Sequence, residues 1–236
     1  MLEYVLLAIV VATAACLQGS IGFGMGLFAT PLIALINPGL VPGLVVLLTL
    51  PITASVVVRE RADVDVPSVA FGLIGRIPGT VLGAWLVTLL ATETLALLIG
   101  VVVLLGVAIS ILGWVPQPNR IAVIAAGLIS GITGTATSLG GPPMALIWQA
   151  SKGPRLRGTM NAFFLIGATI SAIALLSVGA IDGAIAELAL LLFPAIVVGY
   201  FMSRLANKIL ETRLAKFAIH SVSALSAVTL VIIGLL

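Results

Sequence analysis

The chain has 236 residues, of which 61% are hydrophobic and only 8% charged, with a formal net charge of +3. A soluble domain carries about 25% charged residues, so this composition cannot cover a water-facing surface. It excludes soluble enzymes, and it excludes nucleic-acid modules because the basic residues sit in short connections between apolar stretches, the pattern that marks cytoplasmic loops.

The N-terminal run carries Glu3 and no Lys or Arg ahead of Ala14-Ala15-Cys16. It lacks the positive start of a cleaved signal and reads as a retained segment. The lone cysteine leaves no internal disulfide and no multi-cysteine metal site. The first apolar stretch, residues 4–36, is too long for one simple crossing and is interrupted by Gly19-Ser20-Ile21-Gly22-Phe23-Gly24, with Pro31 following. Ordinary crossings of about 20 residues are expected at 40–58, 67–91 and 94–114. A second interrupted stretch, 121–150, contains Gly131-Ile132-Thr133-Gly134-Thr135 with Pro143 following, and further crossings are expected at 160–180, 183–203 and 217–236.

The two interruptions match at an offset of 112, which pairs Gly19 with Gly131, Gly22 with Gly134 and Pro31 with Pro143; Pro78 and Gly83 match Pro194 and Gly199 at 116. The sequence therefore predicts two homologous halves, 1–116 and 117–236, each with one broken segment and three crossings. Arg59, Arg61, Arg120, Lys152, Arg155, Arg157, Arg204, Lys208, Arg213 and Lys216 fall on one face only if both broken segments are re-entrant hairpins, entering and leaving on the same side. The positive-inside rule makes that face cytoplasmic. The expected fold is an all-α polytopic membrane protein with inverted repeats, a common architecture of secondary transporters, in a cell (inner) membrane.

In such a hairpin the first half-helix is expected to end near the midplane, and the second to start there with its positive end inward, a ready anion site. Thr133, Thr135 and Thr137 alternate, so an extended strand would aim three hydroxyls one way. Gly140-Gly141-Pro142-Pro143 suits a helix start. Gln18 and Ser20 are the nearest polar residues of the first break. Small residues at these places also serve close helix packing. Arg76 lies ten residues into its span, about 15 Å deep, near the middle of a core about 30 Å thick. No acidic partner is in reach along the sequence. A translocated anion would supply the missing charge; the structural alternative is hydrogen bonding to freed carbonyls. His220, Trp148 and Gln149 read as interfacial, Glu187 as a solvated cap, and Asn161 as a residue of the inner vestibule.

Gly19-Ser20-Ile21-Gly22-Phe23-Gly24-Met25-Gly26 through Pro31, Ser130-Gly131-Ile132-Thr133-Gly134 through Gly140-Gly141-Pro142-Pro143, and Arg157-Gly158-Thr159-Met160-Asn161 together resemble the sulfite exporter TauE/SafE family. The resemblance spans nearly the whole chain and implies export of sulfite or organosulfonates such as sulfoacetate. In this chain Thr135-Ala136-Thr137-Ser138-Leu139 dilutes the second glycine cluster. The expected mechanism is alternating access around a midplane anion site, with Arg76, Gln18, Ser20, Gly22, Thr133, Gly134, Thr135, Thr137, Ser138 and Asn161 as candidate substrate contacts. No cofactor, metal or catalytic residue is expected. A passive anion channel is the alternative; a membrane-embedded enzyme lacks an acid–base pair or nucleophile to build on. The sequence leaves assembly with further copies of itself open.

Overall fold

The computed structural model describes residues 1–112, 119–210 and 213–235, with side chains at 92, 109–112, 207–210, 213–219 and 234–235 outside that description. The described residues form eleven α-helices and short turns: α1 (Leu2–Ile21), α2 (Thr30–Ile36, entered through a π-helical turn Met25–Ala29), α3 (Gly43–Glu60), α4 (Val66–Leu89), α5 (Thr92–Leu112), α6 (Arg120–Ala136), α7 (Gly141–Trp148), α8 (Gly153–Ser177), α9 (Gly183–Leu191), α10 (Phe193–Leu210) and α11 (Arg213–Leu235). Among the described residues, Leu2–Ile21, Gly43–Asp63, Val66–Leu89 and Gly153–Ser177 are each long and apolar enough to cross a membrane, and Gly183–Leu191 with Phe193–Ala206, bent by 43°, pass the same test only as a pair. The proposed junction of the halves at 116 and 117, the ends of the expected crossings 94–114 and 217–236, and the side chains of Lys208, Arg213 and Lys216 lie outside the described residues.

Both interruptions are present. The chain leaves α1 at Gly22, which is left-handed at φ 97° and donates its amide to the Gln18 carbonyl, and turns again at Gly24, φ 140°. L side chains strain in that region and glycine does not. α6 ends where Thr137 and Leu139 both donate to the Thr133 carbonyl, with Ser138 at φ 61°. α7 then starts with Pro142 and Pro143 in its first turn, where their missing donors cost nothing.

The outgoing legs differ from expectation. α1 has 20 residues and α6 has 17, so at 1.5 Å per residue they run about 30 and about 26 Å. They are near-complete crossings, and only the returning helices are short. Consequently Thr133 and Thr135 are helical and no extended strand carries the three threonines. The reason is packing. A Cβ on Gly75 would collide with the Ile124 carbonyl, one on Gly79 with the Leu128 carbonyl and one on Gly127 with the Gly72 carbonyl. These glycines let α4 and α6 touch backbone to backbone, the small-residue contact of membrane helices, and that contact holds Gly131 and its neighbours in the helix.

α1 meets α10 in the same way. A Cβ on Gly199 would reach the Ala12 carbonyl and the Ala15 side chain, and one on Gly19 the Ser203 side chain. Position by position, Gly75 against Ile124 and Leu128 corresponds to Gly199 against Ala12 and Cys16, and Gly79 against Gly131 corresponds to Ser203 against Gly19. In these contacts the residues of α1 and α6 are spaced by 112 and those of α4 and α10 by 124, whereas the Pro78 and Pro194 match uses 116. At a spacing of 124 Tyr200 stands opposite Arg76, and Pro78 does not fall on Pro194. Their surroundings agree: α4 continues through Pro78, whereas α9 and α10 meet at 43°. The expected single crossing 183–203 is broken because Pro194 has no amide for the Leu190 carbonyl, and Ala195 turns tightly onto the Leu192 carbonyl at 3.0 Å.

In both contacts residue numbers rise together, so α1 runs parallel to α10, and α6 parallel to α4. The start of α3 lies at Ala180 and Ile181, between α8 and α9, while Gly158 near the start of α8 lies against Glu60 at the end of α3. α1 and α3 thus start at the same end of the bundle, and α2 carries the chain back between them. α4, α6 and α8 start at the opposite end, where Arg59, Arg120, Arg155 and Arg157 gather: Arg155 pairs with Asp65 at 2.8 Å, Arg157 with Glu60 at 3.2 Å, and Arg120 stacks on Phe71. Arg155 holds the Asp65 carboxyl below its ordinary range, and the amide of Ser68 adds to the effect.

Candidate functional site

The two breaks face one another. Gly26 packs against the Ser138 carbonyl so closely that a Cβ has no room, and Phe23 lies beside Gly141. Between them is a cavity of about 40 Å³ lined by Gln18, Phe23, Gly24, Met25, Gly26 and Leu27 from the first break and Ser138, Gly140 and Gly141 from the second. Val46 and Thr49 of α3, Arg76 of α4, Gly134 of α6 and Phe164 and Ala168 of α8 complete the wall. A water needs about 10–15 Å³ by this measure. The space therefore suits about three waters or one compact oxyanion.

Arg76 is the charge in this wall. It is 3% exposed, and Nη1 donates to the Ser130 carbonyl at 3.0 Å and to Ser130 Oγ at 2.8 Å; that hydroxyl in turn donates to the Gly140 carbonyl at 2.6 Å. The guanidinium carbon stands 5.1 Å from the centre of the Phe163 ring, a cation–π contact. Nε is buried without a partner, and among the described residues no carboxylate pairs with the group. Gly134, Gly140 and Gly167 make its berth, since a Cβ at any of them would press on the guanidinium or its stem. A buried, uncompensated cation is expensive, and one carbonyl, one hydroxyl and one ring compensate only partly.

The starts of both returning helices add positive potential, about half a charge each. At the first, Gln18 Oε1 accepts the Met25 amide at 3.0 Å. At the second, Gly140 makes no side-chain cap and two prolines withhold their amides. The second end is thus the more open one, although its supply of donors is small.

Of the residues expected from sequence, Gln18, Arg76, Gly134 and Ser138 line the cavity. Gly22 and Asn161 lie just beyond it: Asn161 Nδ2 donates to the Gly22 carbonyl at 3.2 Å and to the Arg157 carbonyl at 2.8 Å, and Gln18 Nε2 donates to Asn161 Oδ1 at 3.0 Å. The other four point elsewhere. Ser20 donates to the Ser203 carbonyl, Thr135 bonds Ser171 at 2.8 Å, Thr137 returns to the Thr133 carbonyl, and Thr133 donates to the Ile129 and Leu139 carbonyls. Their hydroxyls are consumed inside the helix packing and by the second break. Sequence reasoning missed Ser130, Phe163 and Thr49. Ser130 stood at the head of the second glycine motif, and the 112 offset pairs Thr49 with Asn161; Phe163 had no signal.

A family model described as sulfite exporter TauE/SafE matches residues 6–230. The chain belongs to the TauE/SafE family. No curated protein and no solved structure matches it. As a TauE/SafE protein with several membrane-length helices, it is an integral, multi-pass membrane protein of a transporter family.

Proposed function

We propose that this TauE/SafE protein exports a small sulfur anion, sulfite or a compact organosulfonate, by alternating access of two inverted halves around the central cavity. The observation that carries the proposal is Arg76: buried at the cavity wall, with an orphan Nε and no carboxylate among the described residues to neutralise it. An oxyanion in the cavity supplies the missing charge, and a guanidinium matches two of its oxygens at once. The inverted arrangement is supported by direction: α1 runs toward the end where Arg59 and Arg157 gather, and α6 runs away from it. On this reading that end is cytoplasmic, in a cell (inner) membrane, and each negative charge leaving gains roughly 2.3 kcal/mol per 100 mV of interior-negative potential, so export needs no coupling ion. Reconstituted protein should show saturable sulfite flux and counterflow. Flux proportional to concentration without counterflow would instead identify a passive channel, and absence of any flux would refute transport.

A further inference from the structure

We infer that Arg59 and Arg157 form a second anion site, at the basic end beside the first break, and that the carboxylate of Glu60 occupies it as an internal stand-in for the substrate. Glu60 Oε1 accepts from Arg59 Nε at 3.0 Å and from Arg157 Nε at 3.2 Å, and the three side chains are only 15%, 11% and 12% exposed for Arg59, Glu60 and Arg157. Two guanidinium groups thus converge on one carboxylate oxygen. A sulfur oxyanion offers a charged acceptor oxygen of the same kind to the two Nε groups, so the position of Glu60 marks where a free oxyanion is held.

The cluster lies one layer from the cavity. Arg157 sits one turn before Asn161 on α8 and its Cα abuts Gly22, so the pair of arginines is separated from the cavity by the layer in which Gln18, Asn161 and the Gly22 carbonyl are hydrogen-bonded together. Arg59 also donates Nη2 to the Gly19 carbonyl at 2.7 Å and Nη1 to Ser203 Oγ at 3.5 Å. Exchange of Glu60 for an arriving anion at these two arginines therefore loosens the contact between α3 and α8 and alters the clasp on the last turn of α1, next to the first break. The opposite side has no such charged clasp among the described residues: Ser138 Oγ donates to the Pro42 carbonyl at 3.0 Å, a neutral contact.

This inference rests on the reading that the protein carries oxyanions, but not on Arg76, and its test keeps the two apart. Full-length protein in detergent is titrated with sulfate by calorimetry, with the folded fraction fixed from the melting transition. Glu60→Gln should bind two sulfates per chain where the unaltered chain binds one. Combined with Arg76→Ala it should bind one, and adding Arg157→Gln to that pair should weaken the remaining site at least tenfold. Folded Glu60→Gln protein that binds no more sulfate than the unaltered chain would overturn the inference, whatever Arg76→Ala does. Glu60→Asp decides the matter if the Gln variant does not fold: it keeps the charge and withdraws the carboxylate by one methylene. A second, weaker sulfate site in Glu60→Asp supports the inference, and its absence refutes it.

Discussion

A single methyl group should disarm the central site without touching any charge. Gly167 of α8 faces the stem of Arg76, and a Cβ there would overlap Nε, with Cδ and Cζ both at 2.5 Å. The side chain is enclosed on its other sides by Gly134, Gly140 and Phe163. In Gly167→Ala the guanidinium must therefore leave its berth and lose the Nη1 bonds to Ser130. Hydrogen bonds to charged groups contribute about 1.5–3 kcal/mol each, and overpacking adds about 1–3 kcal/mol of destabilisation. Misplacing the cation by one such bond weakens anion affinity roughly 10- to 150-fold, at about 1.4 kcal/mol per decade. Calorimetric titration with sulfite, normalised to the folded fraction, reads this directly. Gly183→Ala is the control, because nothing lies within 4 Å of a Cβ there. An affinity in Gly167→Ala within twofold of the unaltered protein would refute the placement of the site at Arg76.

Three further outcomes are expected. Gly22→Val should abolish flux in proteoliposomes, because φ 97° and an Arg157 Cα at 2.9 Å from the new Cβ both oppose a β-branched residue; normal flux would remove the first break from the mechanism. In a Cys16-free background, cysteines at Asn37 and Asp182 should react with an impermeant thiol reagent from one side of the membrane and a cysteine at Gly153 from the other, and labelling of all three from one side would contradict the directions assigned to α2 and α8. Asp65→Ala should lower stability by about 1 kcal/mol through loss of the α4 cap. Because Arg155, and then the Ser68 amide, depress the Asp65 pKa, the part of Asp65's contribution that needs the carboxylate is full above the unfolded carboxyl's pKa and fades as pH falls through the lower folded value; denaturation curves at neutral and strongly acid pH check it, the gap between variant and parent narrowing in acid.

The breaks were legible because backbone chemistry writes them into sequence. Gly22 and Gly24 adopt angles that side chains resist, and Pro142 and Pro143 sit where a helix has no use for their amides. Where the outgoing helix stops was not legible, since Gly131 and Gly134 serve helix contact and the berth of Arg76 while looking like turn residues. The alternation of Thr133, Thr135 and Thr137 misled for the same reason: a period of two has meaning only in a strand, and α4 imposes a helix. The Pro78 and Pro194 match uses a different spacing from the contacts, where Gly75 and Gly79 of α4 meet α6 as Gly199 and Ser203 of α10 meet α1. Arg76 was readable from depth and isolation alone. Its neighbours Ser130 and Phe163 were not, as an ordinary serine and phenylalanine in a membrane helix carry no mark of what lies across the interface.

Anion affinity of Arg76→Ala, measured per folded molecule against the parent chain and Arg76→Lys, tests the central claim most directly. Arg76→Ala should show no measurable sulfite binding and Arg76→Lys, whose compact ammonium lacks the planar fork, weaker binding, with membrane insertion intact because the burial cost vanishes with the charge. Undiminished affinity in Arg76→Ala, together with a lowered melting temperature, would show that Arg76 only ties α4 to Ser130, and would contradict the anion site.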